Sequence, residues 1–451
     1  MNTSGVWGTA GFDGFSRGTF GNAGHNLYVS RAGVLQRIHQ FDLNKDGYFD
    51  LVFANDHDHG ENAPAYVYRD PLGAASRYEL PSDGAWSGAM ADLNGDGYDD
   101  LVLGMLSNGS HPKLNSFIYY GSAEGFSERM RLPLPAPLCI SVAAGDFNGD
   151  GKPDLAYLLR GGWANSDTYV RIFYQTELGF ESHRYEDIEI DGDQLAASDL
   201  DGDGYADLVV RSRLGAVTVY WGSAAGIDAG GSSLAAGQPD DLTQPDQSDL
   251  RMGAAVVGAQ EMVLPAIQGG QPDPYYAAEP KQADQDAHPI PTVLHLQGKP
   301  HIFVASTESV SLVPVGPRRE FGTPLELPCQ RPMAAAVGDI TGNGHEDLVV
   351  ACRDADGDGE SSWVYWGGEG GYDNSRRTRL ASMRACDVVL ADLDGNGHDD
   401  VILCQNRTFE SYTTESLLYR GGPDGIVVDA VRLTTEDARR VFAAKTPNGP
   451  P

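Results

Sequence analysis

The stretch "DLNGDGYDDLVLG" (residues 92–104) places oxygen-bearing side chains at alternate positions, with a glycine sixth and a short apolar run after the ninth residue. The nine-residue pattern recurs as "DLNKDGYFD" (42–50), "DFNGDGKPD" (146–154), "DLDGDGYAD" (199–207), "DITGNGHED" (339–347) and "DLDGNGHDD" (392–400). Apart from one longer gap, successive copies begin about 50 residues apart, which is typical of a propeller or a similar array.

Each repeat predicts four short strands. An apolar stretch precedes the first aspartate, and a β-branched strand such as "LVFA" or "LVVA" follows the last one. A third strand ends in an aromatic and a glycine-rich turn, as in "FIYYGSAEGF", and a less regular fourth strand comes next. Four antiparallel strands make a propeller blade. We therefore predict an all-β, seven-bladed β-propeller of four-stranded antiparallel blades, with repeats starting near residues 42, 92, 146, 199, 295, 339 and 392.

The repeat near residue 295 is degenerate. The run "TVLHLQGKPHIFVASTESVSLVPVG" keeps the strand rhythm, but His295 and His301 replace the first and last aspartates. This repeat cannot hold an ion as the others do. Residues 228–290 are rich in Gly, Pro, Asp and Gln, and they predict an insertion with long surface loops. Either residues 252–260 or "TVLHL" could supply the inner strand of the fifth blade.

The two ends of the chain bear on how the ring closes. We predict one propeller over residues 1–445 and a C-terminal tail over 446–451. The segment "DARRVFAAK" near the C-terminus resembles the start of one more inner strand. It could close the ring by pairing with the first blade, or the chain could be cut from a longer protein.

The charge balance limits the partners. The formal net charge is −32, which argues against nucleic acid and against an anionic membrane surface, and favours bound cations or a solubilising surface. No apolar run is long enough for a transmembrane helix, so we expect no membrane insertion. No signal peptide is visible. We expect a monomer that is extracellular or at the cell surface as a mature chain, with a cytoplasmic location left open.

The cysteines read as structural thiols. The chain has five of them, and most sit inside apolar runs such as "VVAC" and "VILC". Buried free thiols are the expected state of such residues. Because Cys352 and Cys404 follow equivalent strands, a bridge between them is left open.

The recurring loop suits calcium. Its first, third, fifth and ninth side chains and its seventh backbone carbonyl supply hard oxygens around one centre, and the glycine allows the tight turn. Strands flank the loop, so it is not an EF-hand, and an all-protein cage suits magnesium poorly. Solvated acidic turns are the alternative. We predict about six calcium sites, the weakest in the loop that begins at Asp339, which has only two carboxylates. The predicted ligands are Asp42, Asn44, Asp46, Asp50, Asp92, Asn94, Asp96, Asp100, Asp146, Asn148, Asp150, Asp154, Asp199, Asp201, Asp203, Asp207, Asp339, Thr341, Asn343, Asp347, Asp392, Asp394, Asn396 and Asp400.

With these loops and the turns "YYGSAEGF" and "YWGSAAGI", the chain resembles the FG-GAP/VCBS repeats of the integrin-alpha type. The resemblance covers nearly the whole chain except residues 228–290 and the degenerate repeat. It implies a seven-bladed propeller with calcium in the hairpin between the first and second strands of a blade. It does not imply one activity, because members act in adhesion, in carbohydrate recognition and as parts of polysaccharide-active enzymes.

The loops after each second strand should open at the opposite end of the blades, and they hold the less ordinary chemistry. In "NDHDHG" (55–60), His57 and His59 with nearby Tyr66 could act as base and acid in a polysaccharide lyase, could bind a transition metal, or could belong to a solvated polar loop. The candidate ligand-binding residues are His111, Trp163, Arg353, Arg407 and Tyr412, because aromatics stack on sugar rings and arginines bind carboxylates.

We therefore predict a calcium-stabilised propeller that binds a polysaccharide or a surface protein at the end opposite the calcium loops. The rival hypothesis is a polysaccharide lyase or glycosidase that uses the His57 and His59 loop at that end. A structural module of a longer surface protein is a third reading. No nucleotide-binding or common hydrolase motif occurs in the sequence.

Overall fold

The computed structural model describes residues 27–29, 35–37, 50–55, 63–73, 76–107, 114–162, 167–234, 289–353, 361–406, 411–427 and 429–444. The chain forms two compact units, residues 1–43 and 44–451. In the first unit, Leu27–Val29 (β1) pairs antiparallel with Leu35–Arg37 (β2). Across the described ranges the one helix is a short 3-10 turn, Glu128–Met130, and no helix there is long and apolar enough to span a membrane.

The second unit is a seven-bladed β-propeller of four-stranded antiparallel blades. Blade 1 contains Asp50–Asn55 (β3), Ala65–Arg69 (β4) and Ser76–Leu80 (β5). Blade 2 contains Ala85–Ala91 (β6), Asp100–Met105 (β7), Ser116–Tyr119 (β8) and Arg131–Leu134 (β9). Blade 3 contains Cys139–Gly145 (β10), Asp154–Arg160 (β11), Thr168–Phe173 (β12) and Glu186–Ile188 (β13). Blade 4 contains Gln194–Ser198 (β14), Asp207–Arg211 (β15), Val217–Tyr220 (β16) and Ser232–Ser233 (β17).

The remaining blades follow the same order. Blade 5 contains Thr292–Leu296 (β18), Lys299–Ala305 (β19), Ser309–Pro314 (β20) and Leu325–Pro328 (β21). Blade 6 contains Pro332–Gly338 (β22), Asp347–Cys352 (β23), Ser361–Tyr365 (β24) and Arg377–Ala381 (β25). Blade 7 contains Ala385–Ala391 (β26), Asp400–Gln405 (β27), Thr413–Tyr419 (β28) and Val431–Glu436 (β29). The last strand, Ala438–Ala444 (β30), is the inner strand of blade 1.

The ring closes through β30. This strand pairs antiparallel with β3, with Phe442 opposite Val52, and it contacts both β26 of blade 7 and β6 of blade 2. The other inner strands contact one another in order, from β6 through β10, β14, β18 and β22 to β26. The ring closure that the sequence left open is observed, with β30 as the closing strand. The ring therefore joins the two ends of the propeller chain in one sheet.

The burial pattern explains why these residues form blades. The second strands β7, β15, β23 and β27 are buried along their whole length, which suits their continuous apolar composition, because each is sandwiched between neighbouring blades. The inner strands are rich in alanine and glycine, as in "PMAAAVG" of β22, so that seven of them fit around one axis. The composition of these strands therefore matches their positions in the blade.

Tyrosines near the end of the third strands tie neighbouring blades together. The Tyr68 hydroxyl donates to the carbonyl of Thr434 in blade 7, at 2.5 Å, and the Tyr365 hydroxyl donates to the carbonyl of Pro328 in blade 5, also at 2.5 Å. Tyr119 makes the same kind of bond to the carbonyl of Pro81. In blades 1, 2, 6 and 7 the tyrosine of the third strand thus satisfies a backbone acceptor of the preceding blade.

The structure identifies the inner strand of the fifth blade. Its inner strand is β18, the "TVLHL" segment, whereas residues 252–260 lie outside the described residues. His301 of β19 pairs with Leu294 of β18, the register that the ninth-position aspartates hold in other blades. Most of the segment 228–290 also lies outside the described residues.

All five cysteines are buried and free, as the sequence predicts. The Cys352–Cys404 bridge that the sequence left open is not formed, because each of these two cysteines lies beside a different thiol. The Cys352 Sγ is 2.7 Å from the Cys329 Sγ, and the Cys404 Sγ is 3.7 Å from the Cys386 Sγ. Burial raises the pKa of the Cys352 and Cys404 thiols, so they are poor nucleophiles.

Candidate functional site: the aspartate loops

Five described loops join the first and second strands of blades 2, 3, 4, 6 and 7, and we call them the Asp loops. Each is organised around its first aspartate. In blade 2 the Asp92 Oδ1 accepts the N–H of Asp96 at 3.1 Å, and its Oδ2 accepts the N–H of Gly97 at 2.8 Å. The equivalent two bonds occur in all five loops. Gly97 has a φ of 88°, a conformation that other residues avoid, so the sixth-position glycine is required.

The fifth position is fixed in the same way. Its side-chain oxygen accepts the N–H of the seventh residue in every described Asp loop, for example from Tyr98 to Asp96 at 2.9 Å and from His398 to Asn396 at 2.8 Å. The middle of the loop is exposed in each case. The side chains of positions one, three and five therefore converge on one turn that solvent can reach.

The ninth aspartate has a second role that the sequence does not reveal. Asp154 is fully buried; its Oδ2 accepts the N–H of Phe147 at 3.1 Å and its Oδ1 accepts the N–H of Gln175 at 2.8 Å. The same two bonds recur at each ninth position, and those residues are Asp100, Asp154, Asp207, Asp347 and Asp400. This carboxylate therefore ties the Asp loop to the turn between the third and fourth strands.

Burial sets the titration of these carboxyls. It raises the pKa to about 6 for Asp100 and Asp400 and to about 7 for Asp154 and Asp207, and it also raises the pKa of Asp347. The two backbone N–H donors at each site act in the opposite direction. A cation beside the loop would favour the ionised form in the same way.

Two features fit a hard cation. In blade 4, carboxylate oxygens of Asp199, Asp201 and Asp207 all lie within 4.8 Å of one another. In blade 6, the buried hydroxyl of Thr341, at the third loop position, has no hydrogen-bond partner among the described residues. Clustered carboxylate oxygens and an unpaired hydroxyl oxygen are both hard ligands of the kind that calcium coordination uses. The residues present therefore fit the group that the repeats imply.

Of the predicted ligands in blade 1, Asp42, Asn44 and Asp46 lie outside the described residues, and Asp50 begins β3. The other predicted ligands lie where the sequence puts them, in the first hairpin of their blades. From the sequence alone, the ninth residue is expected to act only as an ion ligand. The recurring apolar residue at the second position, whose N–H donates to that aspartate, could have indicated its structural role.

Neighbouring loops are linked along one end of the propeller. The N–H of Ala206 in blade 4 donates to the carbonyl of Asp146 in blade 3 at 2.7 Å. Blades 6 and 7 repeat this bond between Asp399 and Asp339, at 3.1 Å. The Gln175 side chain of blade 3 donates to a carbonyl of the blade 2 loop, at 2.8 Å. The Asp loops thus form a connected layer, which we call the Asp-loop end.

Blade 5 contributes an unexpected group to this layer. The Arg319 guanidinium lies on two carboxylates of the blade 4 loop, 2.7 Å from Asp201 and 3.1 Å from Asp203. Arg319 is not among the predicted site residues, because it follows a degenerate strand and belongs to no motif. The only signal was its place in the turn where other repeats have glycine.

The candidates for the opposite end are only partly described. His57, His59, His111, Trp163 and Arg407 lie outside the described residues. Tyr66 lies on β4, is 6% exposed, and has the Arg77 guanidinium over its ring at 4.0 Å. Burial raises its pKa to about 12, so it is poorly placed to donate a proton to a polymer.

Arg353 and Tyr412 both lie at the end opposite the Asp loops. Arg353 follows β23 and is buried, and its N–H donates to the carbonyl of Arg331 at 2.9 Å. Tyr412 precedes β28 and is half-buried. Ion pairs line the same end, such as the buried Arg211 and Asp193 at 2.6 Å. Of these two described residues, Tyr412 has the more accessible side chain.

The family comparison identifies the repeats. The FG-GAP-like repeat model matches residues 42–103 and 339–403, and the FG-GAP repeat model matches residues 140–157 and 192–220. Both models include Asp loops of this chain. The search of curated proteins gives no match.

Three solved structures are similar to this chain, and the first of them, with a TM-score above 0.5, supports the same fold. A protein from Lactobacillus plantarum has 10% identity and a TM-score of 0.52, with 88% of this chain and 99% of that chain covered. A quinonprotein alcohol dehydrogenase-like protein from Bacteroides thetaiotaomicron has 9% identity and a TM-score of 0.47, with 92% and 80% covered. BBS1N in complex with ARL6DN has 13% identity and a TM-score of 0.43, with 81% and 87% covered. At such identities the likeness concerns the fold alone.

Proposed function

Because the chain is a β-propeller with FG-GAP repeats, we propose that it binds calcium in its Asp loops and uses the opposite end to bind a carbohydrate or a surface protein. The observation that carries the calcium proposal is the repetition of one geometry in five loops. In each, the first and fifth side chains fold the same turn and the ninth carboxylate holds that turn on its blade, and in blade 4 the oxygens of positions one, three and nine lie within 4.8 Å of one another. A solvated acidic turn would have no reason to keep this arrangement.

Charge supports the same proposal. The chain carries a formal charge of −32, and each Asp loop places several carboxylates within a few residues. Like charges so close oppose folding unless cations neutralise them. Bound calcium would remove part of this repulsion and would keep the buried ninth carboxylates ionised.

The difference between the loops at the two ends of the propeller supports the ligand proposal. The Asp-loop end is filled by similar turns that bond to one another. The loops that leave the second strands at the other end differ in length from blade to blade, from the tight turn after β15 to the longer connections after β7 and β27. Variable loops on a rigid scaffold are where proteins place binding residues. Tyr412, which is half-buried at that end, offers an aromatic side chain to such a ligand.

Calorimetry tests the calcium proposal. Protein stripped with a chelator should bind several calcium ions per chain when it is titrated with calcium chloride. Asp92→Asn should remove one of them, because the first aspartate organises its whole loop. Absence of calcium binding by the stripped, folded chain would exclude the proposal.

A panel of acidic and neutral polysaccharides tests the ligand proposal. Binding, followed by affinity electrophoresis, should weaken in Tyr412→Ala. It should not change in Tyr185→Ala, a matched exposed tyrosine at the start of the fourth strand of blade 3, on the Asp-loop end. Retained binding in Tyr412→Ala, or equal loss in both variants, would contradict this placement. Binding to no polysaccharide would leave a surface protein as the ligand class.

The same incubations separate a binder from an enzyme. A binder leaves the absorbance of unsaturated uronates and the number of reducing ends unchanged. Product that forms with the parent chain and disappears in His57→Ala or His59→Ala would establish the lyase or glycosidase alternative instead.

A further inference from the structure

The turn between the third and fourth strands differs in blade 5. In the blades with a described Asp loop, the last residue of this turn is a glycine in the left-handed region, with its N–H donating to the carbonyl three residues earlier. These glycines are Gly125, Gly179, Gly226, Gly371 and Gly425, with φ values of 81°, 85°, 94°, 74° and 105°. In blade 5 the equivalent residue is Arg319, whose φ is 62° and whose N–H donates to the carbonyl of Gly316 at 3.0 Å.

In blades 4 and 2 a side chain at this position would meet a neighbouring side chain, whereas a Cβ on Gly179 or Gly371 would meet nothing within 4 Å. A Cβ on Gly226 would lie 2.2 Å from the Tyr174 hydroxyl, and a Cβ on Gly125 would lie 2.7 Å from the Arg69 guanidinium. In blade 5 the Arg319 guanidinium instead lies over the Trp221 ring, 4.9 Å from its centroid. A non-glycine residue in the left-handed region carries an energetic cost, which favourable contacts of its side chain can offset.

That side chain reaches the neighbouring Asp loop. The Arg319 Nε donates to the Asp201 Oδ2 at 2.7 Å, and an Nη donates to the Asp203 Oδ2 at 3.1 Å. Asp201 and Asp203 are the third and fifth residues of the blade 4 loop. Two backbone bonds brace the hairpin that carries Arg319, from Gly316 to the carbonyl of Glu320 and from Gly322 to the carbonyl of Pro314.

We propose that Arg319 is a resident cation of the blade 4 loop and competes with calcium for Asp201 and Asp203. This inference rests on the proposed calcium function. The blade 4 loop has four carboxylates, Asp199, Asp201, Asp203 and Asp207, so its ligand charge would otherwise make it the tightest of the described loops. Arg319 lowers its calcium affinity and neutralises part of its charge when no calcium is present.

Competition follows from the geometry of Asp201. Its Oδ2 accepts from Arg319, its Oδ1 accepts the N–H of Asp203 at 3.1 Å, and its side chain is only 4% exposed. Calcium at this loop would need the same Asp201 oxygens, and it would be repelled by a guanidinium held beside them. The Arg319 side chain is 40% exposed, so it has room to leave when calcium is abundant.

The test compares calcium binding by the stripped parent chain, Arg319→Gly and Arg318→Ala. Arg319→Gly installs the residue that equivalent turns carry. Arg318→Ala removes an exposed cation from the same hairpin and serves as the matched control. We expect Arg319→Gly to tighten one calcium site by roughly two- to fivefold, the range for losing a partly exposed ion pair, and Arg318→Ala to change no site.

Two double variants test whether the tightened calcium site is the blade 4 loop. Adding Asp199→Asn to Arg319→Gly should abolish the tightened site, whereas adding Asp146→Asn, in the blade 3 loop, should leave it. Calcium binding that is identical in the parent and Arg319→Gly would overturn the competition while leaving the calcium function intact. Equal tightening in Arg318→Ala would also overturn it, because a general charge effect would then suffice. No calcium binding in any variant would overturn the inference together with the proposed function.

Stability gives an independent readout. Without calcium, Arg319→Gly and Arg319→Asn should melt lower than the parent chain, and saturating calcium should remove most of the difference. Asparagine is included because it tolerates the left-handed region without the charge. If neither variant folds in chelator but both fold in calcium, the competition is supported. If neither folds in either condition, it is overturned.

Discussion

The first hairpin of blade 5 and the first hairpins of the blades with Asp loops solve the same problem in different ways. In blade 5, β18 and β19 are joined by a two-residue turn at Gln297 and Gly298, with φ values of 52° and 73°. Positive φ at both central residues is the type I′ geometry that matches the twist of paired strands. The other hairpins need a nine-residue loop built from carboxylates. Both kinds of hairpin lead into the same four-stranded blade.

The tie to the turn between the third and fourth strands also differs. In blade 5 the N–H of Val315 donates to the backbone carbonyl of Pro300 at 3.0 Å. In blade 3 the equivalent N–H, that of Gln175, donates to the Asp154 side chain. A backbone acceptor and a buried carboxylate therefore do the same structural task. The blade does not require an Asp loop, but a blade that has one depends on its ninth aspartate.

Chelation should separate the two kinds of hairpin by the largest effect. If calcium binds the Asp loops, its removal should lower the melting temperature strongly, since a ligand at a hundred times its Kd contributes about 2.7 kcal/mol per site. Hydrogen exchange followed by mass spectrometry should show faster exchange in peptides covering residues 92–100 and 146–154. A peptide covering residues 295–301 should change least. An unchanged melting temperature would contradict the structural role of the ion.

Removing one ninth aspartate should have the next largest effect. Asp154→Ala leaves the N–H groups of Phe147 and Gln175 buried without their acceptor. Unsatisfied buried groups cost about 1–3 kcal/mol each, so we expect a loss on the order of 2–5 kcal/mol in urea unfolding. The loss should persist in chelator, because the two hydrogen bonds do not involve an ion.

The matched variants are Asp150→Ala in the same loop and His301→Ala in blade 5. Asp150 is exposed, so its loss should matter in calcium and little in chelator. His301 holds the equivalent register but makes one hydrogen bond, from its Nδ1–H to the carbonyl of Lys299 at 2.9 Å, so its loss should be small in both conditions. A loss in Asp154→Ala that disappears in chelator would show that the ninth residue acts only through the ion.

Most of the fold could be predicted from recurring sequence patterns. The repeated loop, the β-branched strand after it and the aromatic at the end of the third strand each have a local signature, so the blade count and strand order could be predicted. The degenerate blade was recognised because its hydrophobic rhythm survives without the aspartates. Ring closure by β30 could only be left open, since pairing over nearly the whole chain has no local signal.

The site was less accessible to sequence reasoning than the fold. Loop positions one, three and five are set by local turns, which nine residues specify. The second role of Asp154 depends on Gln175, and the resident guanidinium depends on Arg319 reaching Asp201 more than a hundred residues earlier. The first contact forms when the strands of blade 3 pair, and the second forms only after blades 4 and 5 have packed. The pairing of Arg319 with Asp201 occurs once, so no repeat period in the sequence indicates it.

Within the Asp loops, the third position of blade 6 should tune affinity by a smaller amount. Thr341→Asp adds a carboxylate where the other described loops have Asn or Asp, so one calcium site should tighten about tenfold. Thr341→Val keeps the shape but removes the hydroxyl, and it should weaken the same site. Calorimetry on the stripped protein measures both. Equal affinities in the parent and both variants would mean that the third position of this loop does not contact the ion.

The smallest expected effect concerns the hairpin without an ion. Gln297 has a positive φ of 52°, a conformation that asparagine tolerates better than glutamine, and Asn-Gly is the preferred pair in a type I′ turn. Gln297→Asn should therefore stabilise the chain by about 0.5 kcal/mol, in calcium and in chelator alike. The N–H of Gln297 donates to the Glu346 side chain at 2.8 Å, and a backbone donor survives the substitution. A stabilisation that appears only in calcium would mean that this turn is coupled to the neighbouring blade 6 loop through Glu346, and that the two kinds of hairpin are not independent.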